Sequence, residues 1–129
     1  MAEKAVKAAQ AKAKELGTPM SVSEVDESGR LVLCARGDGA SFSATDTSRA
    51  KVVAAAAFRR STKEMNEWRE SAPQFWGNVA HVFMEQALPS IGAVLIARDG
   101  RVIGAIGCGG GTGKQDHECA AVGDAALQS

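Results

Sequence analysis

"AVLIARDGRVIGAIGCGGGTGKQD", Ala93 to Asp116, carries two apolar runs joined by Asp99-Gly100 and then a glycine-rich bend. Asp-Gly between such runs is among the strongest hairpin signals, because both residues tolerate the positive φ that a tight turn needs. An antiparallel hairpin therefore feeds the glycine bend. The bend ends in Gly113-Lys114, which invites comparison with a nucleotide-binding loop. That loop needs a glycine five residues before Gly113 and a hydroxyl after the lysine. Cys108 and Gln115 occupy those positions, and little chain remains for the parallel sheet such a loop requires. Nucleotide binding of that type is excluded. Thr112 followed by Gln115 forms a capping box instead, so a helix begins there. Its free amides and dipole favour an anionic group. That makes Gly109, Gly110, Gly111 and Thr112 candidates for holding a carboxylate or propionate, and Asp116 beside them is a further candidate for contact with a cofactor. The plainer reading is that the glycines allow a tight strand-to-helix turn.

Working outward, "MSVSEVD" (Met20–Asp26) and "RLVLCAR" (Arg30–Arg36) flank the turn residues Glu27–Gly29 and predict a second hairpin. "AEKAVKAAQAKAKEL" before it is rich in helix formers, with Val6, Ala9, Ala13 and Leu16 as a thin apolar stripe. Ser43 with Asp46 predicts the start of a helix running to about Arg60. Ser61 with Glu64 predicts the next, carrying Met65, Trp68 and Ala72 on its inner face and broken by Pro73. The segment after Pro73 reads as a short helix over 78–86 or as an ordered loop. "KQDHECAAVGDAAL" closes the chain as a helix. The order is helix, hairpin, helices, hairpin, helix. This predicts an α/β (α+β) class, with an antiparallel sheet between helices.

The chain has 129 residues, enough for one domain over 1–129, and 45% of them are apolar. Fifteen basic residues balance fifteen acidic ones, so nothing points to nucleic acid. The longest apolar run, Val52–Phe58, is too short to span a bilayer. Three cysteines without a Cys-x-x-Cys pair offer neither a zinc ribbon nor a redox motif. A cytoplasmic protein with reduced thiols is the expectation.

The ordered blocks Val25-Asp26-x-x-Gly29, Arg36-x-Asp38-Gly39, the helix lysine Lys51, the run from Gly100 through Gly107, and Gln115-Asp116 through Cys119-Ala120 resemble the GlcG/HbpS-like family. That family includes the C-terminal domain of PduO-type corrinoid adenosyltransferases. The resemblance implies a profilin-like domain assembling as a homo-oligomer, a dimer or higher. It also implies association with haem or a related tetrapyrrole, and many relatives sit in small-molecule catabolic pathways. Glu24 stands where the pattern has an apolar residue, and Pro89 comes earlier than the pattern expects.

Several side chains carry two readings each. Asp26 suits hydrogen bonds to turn amides. Arg36 and Asp38 either pair with each other, or Arg36 holds a ligand carboxylate bidentately. Lys51, among alanines on a helix, ordinarily snorkels to solvent, whereas the family match implies a site role. Glu24 becomes a general acid or base if its strand face is covered, and is inert if solvated. His117 is a candidate proton carrier or haem-iron ligand, and His81 a second candidate ligand beside Phe75, Trp76 and Phe83. Three functions follow: haem or tetrapyrrole binding; a deaminase, hydrolase or isomerase acting on a small carboxylate, with Glu24 or His117 handling the proton; or an accessory or assembly protein whose main property is its oligomer interface.

Overall fold

The computed structural model describes residues 1–84 and 86–128. Its elements run α1 (Ala2–Glu15), β1 (Ser21–Asp26), β2 (Leu31–Arg36), α2 (Phe42–Phe58), α3 (Thr62–Ser71), α4 (Pro73–Val82), β3 (Ala93–Arg98), β4 (Arg101–Gly109) and α5 (Gly113–Ala126). The four strands form one antiparallel sheet in the order β2-β1-β4-β3. Each hairpin places its strands side by side, and β1 joins β4 with Ser21 opposite Gly109 and Asp26 opposite Gly104. Asp99 and Gly100 both take positive φ, 53° and 77°, as a tight two-residue turn requires.

Alternation along the central strands divides the core. Val22, Ile106 and Cys108 face α1 and α5, where they meet Ala5, Ala9, Ala13, Cys119 and Ala120. Val25 and Ala105 face the opposite way, toward Val52, Ala55, Met65 and Trp76. The antiparallel sheet covered by helices on both faces is thus the observed architecture.

Small residues line the contact between helix α2 and the sheet. Ser23 Oγ is 2.8 Å from Ser48 Oγ, and Ser21 Oγ is 3.0 Å from Thr45 Oγ1. These hydroxyls satisfy one another in a dry interface, each bond contributing about 1 kcal/mol net. A Cβ at Gly109 would lie 2.5 Å from Thr47 Oγ1 and 2.8 Å from Ala44 O, so only glycine permits this approach.

The helical segment departs from expectation at three points. Helix α2 is capped by Ser41 and begins at Phe42; Ser43 lies inside it, its hydroxyl bonded to that of Ser41, and no capping box with Asp46 forms. The helix stops at Phe58 because Arg59 turns left-handed at φ 56°. Pro73 opens α4 rather than merely breaking α3, occupying a first-turn position where a missing N–H costs nothing. Of the 78–86 segment only 78–82 is helical, as the latter part of a helix ending at Val82, and Glu85 lies outside the described residues. The capping boxes Ser61/Glu64 and Thr112/Gln115 both form.

Candidate functional site

The glycine bend is answered from within the chain. Asp116, in the first turn of α5, accepts the Gly111 N–H at 2.9 Å through Oδ1. Its Oδ2 receives Lys51 Nζ at 2.8 Å, and the same ammonium donates to Cys108 O at 3.0 Å. Thr112 N–H is taken by Gln115 Oε1. Lys51 is 5% exposed, so it does not snorkel; it spans the interior from α2 to the bend. The negative group these amides attract is the protein's own carboxylate, and Gly109, Gly110 and Gly111 pack against α2, Pro19 and Met20.

Arg36 and Asp38 come together in a different place. With Gln10, Lys14, Thr18 and Met20 they line a cavity of about 610 Å3 at the end of the first hairpin. Its shape is fixed by Gln10, whose amide donates to Met20 O and Ala35 O and ties α1 to both strands. Arg36 and Asp38 form no ion pair among the described residues. The guanidinium is therefore available to a ligand anion, and Lys14 adds a second positive charge.

Glu24 lies elsewhere on the same sheet. It is 6% exposed, and its Oε1 has no hydrogen-bond partner. It borders a cavity of about 200 Å3 with Met1, Asp26, Val32, Ile96 and Ile103. Burial pushes its carboxyl above the usual carboxylate range, while the α-amino group of Met1 pulls the other way. Asp26 is engaged by its turn: its Oδ1 accepts N–H bonds from Ser28 and Arg30. No cation among the lining side chains of this cavity offers to hold a substrate carboxylate.

His117, the fifth residue of α5, is half-buried, with Nδ1 buried and unpartnered. Burial, and then the charge of Lys63, hold its imidazole below the ordinary value, so it is neutral at pH 7. A neutral imidazole is a competent metal donor. His81 is exposed near the end of α4. Phe75, Trp76 and Phe83 cluster with one another around Phe58 and Trp68. Neither histidine lines the Arg36 cavity, and no group of three or more metal-binding side chains occurs among the described residues.

The family model for haem degrading proteins, HbpS-like, matches residues 1–125. The chain belongs to the HbpS-like family. An uncharacterised 15.0 kDa protein from the dhaT-dhaS intergenic region of Citrobacter freundii is 33% identical over 117 residues, 90% of this chain and 81% of that protein. Among solved structures, the Klebsiella pneumoniae protein ORFY superposes with a TM-score of 0.91 at 25% identity, covering 99% of this chain and 88% of its own. A PduOC–heme complex superposes with a TM-score of 0.88 at 26% identity, covering 96% and 89%. At the level of the family, these likenesses support a haem-related binding protein. No helix among the described residues is long and apolar enough to cross a membrane.

One charged feature escaped the sequence reading. Arg30, Arg49 and Arg59 line two adjoining cavities between the first hairpin turn and α2. The signal was present in part: Asp46, Arg49, Ala50, Val53, Ala56 and Ala57 recur at helical spacing, a stripe of small residues with a charged end. What the spacing could not reveal is that the turn carrying Arg30 folds over that stripe.

Proposed function

We propose that this protein binds haem or a related tetrapyrrole through the cavity that contains Arg36. The observation that carries the reading is the pairing of that cavity's free guanidinium with an apolar lining, in a chain of the HbpS-like family. Arg36 and Lys14 suit the ligand's propionates, and Ala13, Pro19, Met20 and Ala35 suit its ring. Within the cavity the side-chain donors available to iron include the oxygen atoms of Thr18 and Asp38. His117, neutral and with a free ring nitrogen, is the imidazole to test from outside it.

Haemin titration followed by absorbance tests this. The expected result is a saturable Soret shift, with Arg36→Gln weakening affinity at least about fivefold, the scale of one charge-assisted contact. His117→Ala and His81→Ala then report whether either imidazole meets the iron, through the position of the band. No saturable shift in the unaltered protein would overturn the reading.

A second reading, a catabolic enzyme acting on a small carboxylate, has one observation in favour: the raised, unpartnered Glu24 carboxyl. Its own cavity offers no lysine or arginine side chain to anchor such a substrate, so tetrapyrrole binding is preferred.

A further inference from the structure

A second open volume is separate from the Arg36 cavity. A cavity of about 720 Å3 and another of about 580 Å3 adjoin beside α2, sharing Gly29, Arg30, Val53 and Gln86. Together they form one trough along the helix. Its floor is the stripe of small residues Ala50, Val53, Ala56 and Ala57. Arg49 stands in the first lobe and Arg59 in the second. Arg59 caps the helix ten positions after Arg49, about 15 Å along the axis at 1.5 Å per residue.

Arg30 stands where the lobes meet, and its backbone is fixed on both sides. Arg30 N–H donates to Asp26 Oδ1 at 3.1 Å, and Asp26 N–H donates to Arg30 O at 2.9 Å. None of the three guanidiniums forms an ion pair or side-chain hydrogen bond among the described residues. Two carboxylates also line the lobes: Glu27 is turned to Arg101, and Asp46 pairs with neither Arg30 nor Arg49 among the described residues. The lining therefore holds an excess of positive charge over a strip of aliphatic surface.

We propose that this trough is a binding site for an elongated organic dianion, a dicarboxylate with an apolar body. The body would lie on the alanine floor, one carboxylate would meet Arg49 and the other Arg59, and Arg30 would stand over the middle. Guanidiniums suit this task because each offers a planar pair of donors to a carboxylate. A compact inorganic anion could engage one guanidinium but not both ends. The length of the trough thus selects for a spaced pair of charges.

Azelate, a straight-chain dicarboxylate, is the probe, with octanoate as the one-ended control, both titrated calorimetrically into the full chain at low salt so that exposed charges are not screened. Azelate is expected to bind saturably and at least tenfold more tightly than octanoate. Arg49→Gln and Arg59→Gln should each weaken it at least tenfold, while Arg36→Gln leaves it unchanged. Both arginines are exposed, and unaltered melting curves would establish that the variants fold. Amide NMR shifts on azelate addition should gather at Arg30, Ala50 and Val53. Failure of azelate to bind, equal affinity for octanoate, indifference to both α2 variants, or shifts gathered around Arg36 would each overturn the proposal. None of those results bears on haemin binding through Arg36.

Discussion

Lys51 Nζ and Asp116 Oδ2 lie 2.8 Å apart, both side chains almost wholly buried, and join α2 to the start of α5 across the end of the central strand β4. The pair is fully engaged: the ammonium also donates to Cys108 O, and the carboxylate also accepts the Gly111 amide. A buried ion pair is a poor source of net stability, but removing one partner strands the other charge, at a cost of about 3–5 kcal/mol. Lys51→Met is therefore expected to destabilise the protein by about that amount. The double variant Lys51→Met/Asp116→Asn should be less destabilised than the sum of the singles. Urea denaturation of all four species measures this coupling, and strict additivity would show that the two groups act independently.

Gly92 makes that pair possible. It takes φ 146°, and a Cβ there would lie 2.7 Å from Lys51 Nζ, 2.9 Å from the Asp116 Cβ and 2.9 Å from Cys108 O. Gly92→Ala thus combines backbone strain with displacement of the ammonium, and a loss of about 2 kcal/mol or more is expected. If the clash is what matters, alanine should cost clearly less in a Lys51→Met background. An equal loss in both backgrounds would assign the whole effect to the backbone.

The sequence revealed what short-range chemistry dictates. The hairpin turns at Glu27–Gly29 and Asp99–Gly100, and the caps at Ser61 and Thr112, all depend on residues within four positions of one another. Lys51 could not be read in the same way, because its partner Asp116 is 65 residues distant. Seen locally it is a lysine among alanines, indistinguishable from one that reaches for solvent. The glycine bend posed the converse difficulty: its anion-seeking amides were legible, but the carboxylate that meets them is Asp116, itself inside the motif. Pro73 was read as a breaker because proline ends one helix and begins the next with the same ring. Arg36 and Asp38 were found through the family blocks and do line one cavity, whereas Glu24 lies three residues along from the strand position opposite Arg36, about 10 Å away.

The three thiols should differ sharply in reactivity. Cys108 and Cys119 are fully buried, and burial pushes both thiols up, Cys119 to about 11. Reaction requires the thiolate, so both are protected by access and by protonation. Cys34 on the edge strand β2 is partly exposed, with Ser23 Oγ donating to its sulfur. Titration of the native protein with a disulfide reagent at pH 8 should release at most one equivalent quickly, lost in Cys34→Ser. The other two should appear only on unfolding. Rapid release of three equivalents would contradict the packing between α5 and the sheet.

Glu24 gives the protein a pH dependence whose sign follows from its burial. Its carboxyl is raised in the folded state, chiefly by desolvation, and one oxygen has no partner. The unfolded chain ionises this group near the ordinary carboxylate value, whereas the folded chain resists ionisation until higher pH. Stability linked to Glu24 is therefore complete below the unfolded pKa and is lost as pH rises through the folded one. Glu24→Gln keeps the shape and removes the ionisation. It is expected to raise the Tm at pH 7 relative to the unaltered protein, and to bring little or no gain at pH 4. Melting curves of both proteins from pH 4 to pH 8 make the comparison. A gain confined to acid pH would mean that Glu24 is stabilised as the carboxylate, with the α-amino group of Met1 outweighing the cost of burial.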